Sequence, residues 1–225
     1  MLMGHPRSGS SLLMHMLCHH PKIIGFGEYL TRYDSLQKLN MAEFDIRRKA
    51  GGLYGKISYV ANQVNHQRIT PNIELLQRAD TRFIFLIREP EAALSSMYLL
   101  SESRKKPMSY AAIGQVYTER LSSMQVMIKT LEPADWTATT YTQLTQQTED
   151  TLEQLTAFLK LDTALKSTYS VQKFSQKWGD PSAHILEGKV VNTDSKQHPF
   201  PEEIVAACKE QHRKTLEFLG MGPTQ

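Results

Sequence analysis

The 225-residue chain is poor in cysteine: Cys18 and Cys208 are the only two, and they form neither a C-x-x-C pair nor a disulfide framework. A reducing compartment is the simpler expectation. No apolar run reaches the roughly 18 residues of a membrane span. Met1-Leu2-Met3 passes directly into a glycine loop, leaving no room for a signal peptide. The expected location is therefore the cytoplasm, with no membrane span. A first strand this short implies either a slightly trimmed start or an unusually short register. Charge of one sign is also scarce. With 26 basic and 23 acidic residues the net charge is +3, too even for bulk binding to nucleic acid or a membrane surface. Charge focused at one anionic site explains it better.

What is present suits one globular domain spanning residues 1–225, with a helical insert. The apolar fraction is 40% and the mean hydropathy is -0.39, and a chain of this length buries a full core. Strand and helix patterns alternate. Leu2 to Met3 reads as the end of a buried strand, Ser11 to Cys18 as a helix, and Ile23 to Phe26 as a short strand. Residues 29 to 50 are polar without a tidy period, a helical or mobile insert. Tyr54 to Tyr59 is the next strand candidate and Pro71 to Arg78 a helix. Arg82-Phe-Ile-Phe-Leu-Ile-Arg88 is apolar on both faces, as a central parallel strand must be. Pro90 suits the first turn of a helix from Glu91 to Leu100. Ser109 to Leu131 is a long helix, Trp136 to Tyr141 a strand, and Thr148 to Leu159 a helix with Leu152, Leu155 and Phe158 on one face. Residues 168 to 201 are loop-like, and a last helix runs from Pro201 to about Leu219. This order predicts an α/β fold, a three-layer doubly wound parallel sheet with a phosphate-binding P-loop.

The loop itself is Gly4-His-Pro-Arg-Ser-Gly-Ser-Ser11. Gly4 and Gly9 let successive N–H groups turn inward, and a helix starting near Ser10 adds its unsatisfied donors to the same cavity. Ser8, Ser10 and Ser11 supply hydroxyls, and Arg7 supplies a cation that bridges two oxygens. The outline fits a G-x-x-x-x-G phosphate loop, but Ser10 stands where an ATPase or GTPase has its lysine. No aspartate follows the hydrophobic strand to hold magnesium; Arg88-Glu89-Pro90 is there instead. The competing reading is a plain strand-to-helix turn, which has no need of an arginine flanked by serines.

A second constellation is Arg88-Glu-Pro-Glu-Ala-Ala-Leu-Ser-Ser96. Arg88 ends a buried strand, where an open α/β sheet has its ligand crevice. Ser96 comes eight residues later, two turns into the helix, and is placed to return toward the same anion. A ligand held by Arg7 and by Arg88 carries two separated phosphates. The plainer readings are a salt bridge from Arg88 to Glu89 or Glu91 and a packing role for Ser96.

Together these residues resemble the sulfotransferase family that uses 3'-phosphoadenosine 5'-phosphosulfate (PAPS). Pro6-Arg-Ser-Gly-Ser-Ser11 is similar to its 5'-phosphosulfate loop, with Ser10 in place of the commoner Thr, and Arg88 with Ser96 is similar to its 3'-phosphate motif. The resemblance is nearest to tyrosylprotein and many bacterial sulfotransferases, in which a His-Pro after the first helix is followed by Gly-Glu; here the stretch is His20-Pro-Lys-Ile-Ile-Gly-Phe-Gly-Glu28. It implies Glu28 as the base that takes the acceptor's proton. The family's next landmark is a lysine in an Asp-Lys-x-Pro context, and Lys56 in Gly55-Lys56-Ile-Ser-Tyr matches without the acid or the proline. Tyr141-Thr-Gln-Leu144 resembles the Tyr-Glu-x-Leu that ends a later strand, minus its glutamate. A late loop often closes over the nucleotide, which implicates Trp178 and Lys189.

The resemblance implies in-line transfer of a sulfuryl group from PAPS to an acceptor hydroxyl, with Arg7, the loop N–H groups and Lys56 stabilising charge, and no metal. Asp34 and Glu43 stand in if Glu28 points away; His20 and His66 are lesser candidates. The acceptor is a hydroxyl of a small molecule, glycan, lipid or peptide, and nucleic acid is not expected as a partner. Tyr29, Arg32, Tyr33 and Phe44 are placed to cover the acceptor. Arg104, Lys105 and Lys106 read as a solvated basic face or a contact for nucleotide or acceptor. Two alternatives remain: a small-molecule kinase, which needs the missing lysine, and a non-catalytic nucleotide-binding module, in which changing Glu28 alters no chemistry.

Overall fold

The computed structural model describes residues 1–52, 56–66, 69, 71–172, 183–190 and 197–222. Among these the chain runs β1 (Leu2–Gly4), α1 (Ser10–His19), β2 (Ile23–Gly25), α2 (Leu36–Ala50), β3 (Tyr59–Ala61), β4 (Gln63–Val64), α3 (Ile73–Arg78), β5 (Phe83–Ile87), α4 (Pro90–Ser103), α5 (Tyr110–Ile128), β6 (Trp136–Thr140), α6 (Tyr141–Gln146), α7 (Thr148–Phe158) and α8 (Glu202–Phe218). One sheet has the order β4-β1-β5-β6 and a second pairs β2 with β3. All of these pairings are parallel, with Leu2 opposite Gln63 and Ile84, and Phe83 opposite Trp136. The carboxyl ends of β1, β4, β5 and β6 therefore share one edge.

Strand alternation splits the core in two. Met3, Phe83, Phe85 and Ile87 pack with Leu94, Ile113, Tyr117 and Leu121 of α4 and α5. Leu2, Ile84 and Leu86 face the other way, against Leu13, Met14 and Leu17 of α1 and Leu152 and Leu155 of α7. Every residue of β5 is buried, which is why its sequence lacks polar alternation. Helices thus cover both faces of a parallel sheet.

The insert contains an ordinary amphipathic helix. Ser35 caps α2 by accepting from the Lys38 N–H, and Gly51 closes it at φ 79. Ala42 and Ile46 face inward, while Arg47 pairs with Glu43 and Lys38 with Asp34 on the outside.

One strand falls elsewhere than the sequence pattern suggests. Residues 56–58 are not a strand; β3 and β4 occupy 59–64, interrupted at Asn62. The polar pair Asn62-Gln63 conceals this run, yet both are buried. Asn62 is accommodated because its side chain accepts from the Tyr29 N–H at 2.7 Å and donates to the Tyr29 carbonyl at 3.2 Å. The short α6 directly after β6 has no counterpart in the sequence pattern either; a capping box formed by Thr140 and Gln143 starts it.

Candidate active site

The Gly4–Ser10 loop leaves β1 at the carboxyl edge of the sheet and turns tightly, the Ser8 N–H donating to the His5 carbonyl at 3.1 Å. Arg7 adopts φ 66 and Gly9 φ 93. Gly9 is the N-cap of α1, and no side chain caps that helix. Ser8 and Ser10 are buried and Ser11 half-buried. Among the described residues the Ser8 hydroxyl has no hydrogen-bond partner, a cost of about 1–3 kcal/mol that an anion at the loop would relieve.

Glycine is required at position 9 twice over. Its φ disfavours a side chain, and a Cβ would lie 2.5 Å from Cδ2 of Tyr141. Gly9→Ala is expected to lower stability by about 2 kcal/mol or more, read as a fall in the urea midpoint at unchanged slope. An unchanged midpoint would mean that Tyr141 moves aside freely.

Tyr141, the first residue past β6, also lies beneath Arg88, whose guanidinium carbon is 4.0 Å from the ring centroid. This contact holds the cation over the ring. Arg88 Nη1 donates to the Arg7 carbonyl at 3.2 Å, and Arg7 Nε donates to Ser96 Oγ at 2.8 Å. The two arginine motifs, far apart in sequence, thus meet side by side. Glu89 does not pair with Arg88; its carboxylate accepts from the Thr142 hydroxyl, and Glu91 pairs with Lys209.

The other side of the loop carries a carboxylate. Glu28, directly after Gly27 in the turn that follows β2, is half-buried, and its Oε1 accepts from the Asn65 N–H at 3.0 Å. Asn65 is the residue that leaves β4, and its Nδ2 donates to Ser10 Oγ at 2.8 Å. Asn65 therefore ties the carboxylate to the loop.

Beneath the loop, α5 holds the strand ends. Arg120 is 1% exposed; its Nε donates to the Gly4 carbonyl at 2.8 Å and its Nη2 to the Val64 carbonyl. Burial pulls the pKa of this guanidinium down to about 10, opposed by the charge of Glu28. Tyr117, one turn earlier, donates from its hydroxyl to the Arg88 carbonyl at 2.7 Å. His5 lies edge-on to Tyr117 and accepts from the Arg88 N–H.

The structure therefore brings together Arg7, Ser8, Gly9, Ser10, Arg88 and Ser96, with Glu28 joined through Asn65. Ser11 lies in the first turn of α1 and its carbonyl meets His15 Nδ1. Lys56 is not brought there. It precedes β3, and the extended run 59–64 sets it roughly 20 Å of chain from the carboxyl edge where Asn65 emerges. Strand direction places Asn65 and exposed His66 at the edge where the resemblance implies a lysine. Lys189 is exposed, its carbonyl within 3.4 Å of the Tyr169 hydroxyl, and Tyr169 packs against His15 of α1. Trp178 lies outside the described residues. His20 is buried against Thr163, its Nε2 2.6 Å from Oγ1. Tyr33 is buried and Tyr29 donates to Asp45, leaving Phe44 exposed on α2. Arg104, Lys105 and Lys106 are all exposed.

His5, Asn65, Tyr117 and Arg120 are the site-forming residues that sequence patterns leave out. Arg120 carries a signal: helical spacing puts it on the same face as Ile113, Tyr117 and Met124, all buried. Among the described residues no cluster of His, Cys, Asp or Glu is arranged to hold a metal ion, and no helix is long and apolar enough to cross a membrane. A cavity of about 500 Å³ opens at the opposite edge of the sheet, lined by residues that include Leu2, Tyr33, Ile46 and Arg82, and shares no residue with this site.

Comparison with known proteins gives this geometry a context. Residues 70–164 match the model of the sulfotransferase family. No curated protein matches the chain in sequence. Among solved structures, the sulfotransferase domain of the Synechococcus olefin synthase superposes with a TM-score of 0.61 at 16% identity, over 94% of this chain and 92% of that one. A mouse sulfotransferase complexed with PAP gives 0.61 at 13% identity, over 96% and 82%. The Alicyclobacillus acidocaldarius sulfotransferase gives 0.60 at 13% identity, over 98% and 95%. The chain has the sulfotransferase fold, and its segment from 70 to 164 carries the sulfotransferase family's sequence pattern.

Proposed function

We propose that the protein is a PAPS-dependent sulfotransferase acting on an acceptor hydroxyl. The observation that carries this reading is the meeting of the two anion motifs: Arg7 bonded to Ser96, and Arg88 bonded to the Arg7 carbonyl. The Gly4–Ser10 backbone, the Ser8 and Ser10 hydroxyls, Ser11 and the start of α1 would receive the 5'-phosphosulfate. Arg88 and Ser96 would receive the 3'-phosphate, with Arg88 held over the Tyr141 ring. The late segment bearing Trp178 and Lys189 is assigned to the nucleotide as well.

In the transfer, the acceptor oxygen forms a bond to sulfur as the sulfur–oxygen bond to the 5'-phosphate breaks. Negative charge grows on the bridging oxygen, where Arg7 and the loop N–H groups are placed to stabilise it. The acceptor's proton goes to Glu28, oriented by the Asn65 N–H. The products are the sulfated acceptor and the 3',5'-bisphosphate. Lys56 has no part at this edge of the sheet, and the chemistry needs no metal.

Calorimetric titration with adenosine 3',5'-bisphosphate beside ADP tests the donor site. The bisphosphate is expected to bind at least tenfold more tightly, about 1.4 kcal/mol, and Arg88→Ala is expected to abolish that preference. Equal binding of both nucleotides by the unaltered protein would reject the reading.

A further inference from the structure

Arg88 stands just past the end of the strand ladders. The register of β1 with β5 ends at Gly4 and Leu86, and that of β5 with β6 at Ile87 and Thr140. Neither polar group of Arg88's backbone is engaged by a neighbouring strand in these ladders. Two side chains take over. The Tyr117 hydroxyl donates to its carbonyl at 2.7 Å, and its N–H donates to His5 Nε2 at 3.0 Å.

The second bond fixes the state of His5. A backbone N–H only donates, so Nε2 must present a lone pair. On the other side of the ring, Nδ1 lies 2.9 Å from the Pro6 carbonyl, which only accepts, so Nδ1 must carry the hydrogen. Both contacts require the same neutral tautomer. The ring is fully buried and packs edge-on to Tyr117 with centroids 4.7 Å apart. Burial pushes the imidazole pKa down to about 3, with His212, Arg88 and Arg120 contributing in the same direction.

We propose that His5, as the Nδ1–H tautomer, is a positioning residue for Arg88 and thereby sets the preference for a nucleotide bearing a 3'-phosphate. The loop that holds the 5'-group and the strand end that holds the 3'-group are joined through one imidazole. If its acceptor is lost, the Arg88 N–H is left without a partner and the guanidinium no longer approaches the Arg7 carbonyl and the Tyr141 ring from a fixed origin. The proposal rests on the two-phosphate reading above and adds a residue that does not itself touch the ligand.

The test pairs two variants with opposite expectations. His5→Gln places an acceptor oxygen near the Nε2 position; His5→Asn keeps only the side near Pro6. Each is titrated calorimetrically with adenosine 3',5'-bisphosphate and with adenosine 5'-monophosphate. His5→Gln is expected to keep the bisphosphate-to-monophosphate preference within about threefold, and His5→Asn to lose at least tenfold of it, about 1.4 kcal/mol. His5 lies in the loop that receives the 5'-group, so the readout is the ratio of the two affinities and not either affinity alone. A purely structural role would lower thermal stability and leave the preference unmoved.

Nitrogen-15 NMR of the unaltered protein at neutral pH supplies a readout that needs no variant. Protonated Nδ1 and unprotonated Nε2 at His5 support the proposal, and the reverse tautomer overturns it. A selective parent protein with an equally selective His5→Asn variant also overturns it, leaving the donor reading intact. A parent protein without any preference removes the reading on which the proposal stands.

Discussion

Arg120→Met is expected to lower the unfolding free energy by about 3 kcal/mol, because two strand-end carbonyls lose a charged donor and neither gains a substitute. The guanidinium is buried at 1% exposure and spans the Gly4 and Val64 carbonyls. Replacing a buried ion pair with apolar residues is often neutral, because both charges leave together. Here the acceptors are backbone groups, which remain polar after the substitution. For a chain of this size the loss corresponds to a fall of roughly 10 °C in the unfolding midpoint, measurable by calorimetry. The effect extends to the site: Gly4 opens the loop, and Val64 precedes Asn65, which holds Glu28 and Ser10. Nucleotide affinity is therefore expected to fall along with stability. A variant as stable as the parent would show that water satisfies both carbonyls and that α5 does not hold this edge together.

Glu28→Gln is expected to reduce turnover by about 10²–10⁴-fold, the range for removing a general base, while binding of adenosine 3',5'-bisphosphate stays unchanged. The substitution is nearly isosteric, and the glutamine oxygen still accepts from the Asn65 N–H where Oε1 does now, at 3.0 Å. Only the ability to take a proton is lost. The measurement is transfer from labelled PAPS to phenol, alkyl alcohol and sugar hydroxyls in parallel. Retained turnover in Glu28→Gln would move the base to another group, and Asp34 and Glu43 would come next. Both are exposed carboxylates paired with cations of α2, Asp34 with Lys38 and Glu43 with Arg47, and the hydrogen bond from Lys38 holds the Asp34 carboxyl below the usual carboxylate range. Absence of turnover in both proteins, with tight bisphosphate binding, would favour a non-catalytic nucleotide-binding module.

Much of the site is legible in the sequence because its signals are local. Gly4 and Gly9 mark a loop whose backbone turns tightly between a strand and a helix, and Arg88 followed by Pro90 marks the end of a buried strand and the start of a helix. The structure places Arg7, Arg88 and Ser96 together, as that pattern suggests. Lys56 shows where local resemblance misleads. A lysine beside a glycine looks suitable, but β3 and β4 run from 59 to 64 and carry the chain away from it toward the opposite edge. The misplacement follows from Asn62 and Gln63, whose polarity reads as a break in a strand until their buried surroundings are known.

The sequence by itself determined the alternation of strands and helices, the tight glycine loop after the first strand and the arginine at the end of the central strand. Each is encoded within a short window by period, glycine placement or a proline. Only the tertiary structure decided that His5 supports Arg88, that Asn65 joins Glu28 to Ser10, and that Tyr117 and Arg120 hold three strand ends from one helix. Those roles depend on hydrogen-bond partners between 29 and 116 residues apart in the chain. A polar side chain becomes a structural support when folding removes water from around it and supplies one particular partner, and no local pattern specifies that partner in advance.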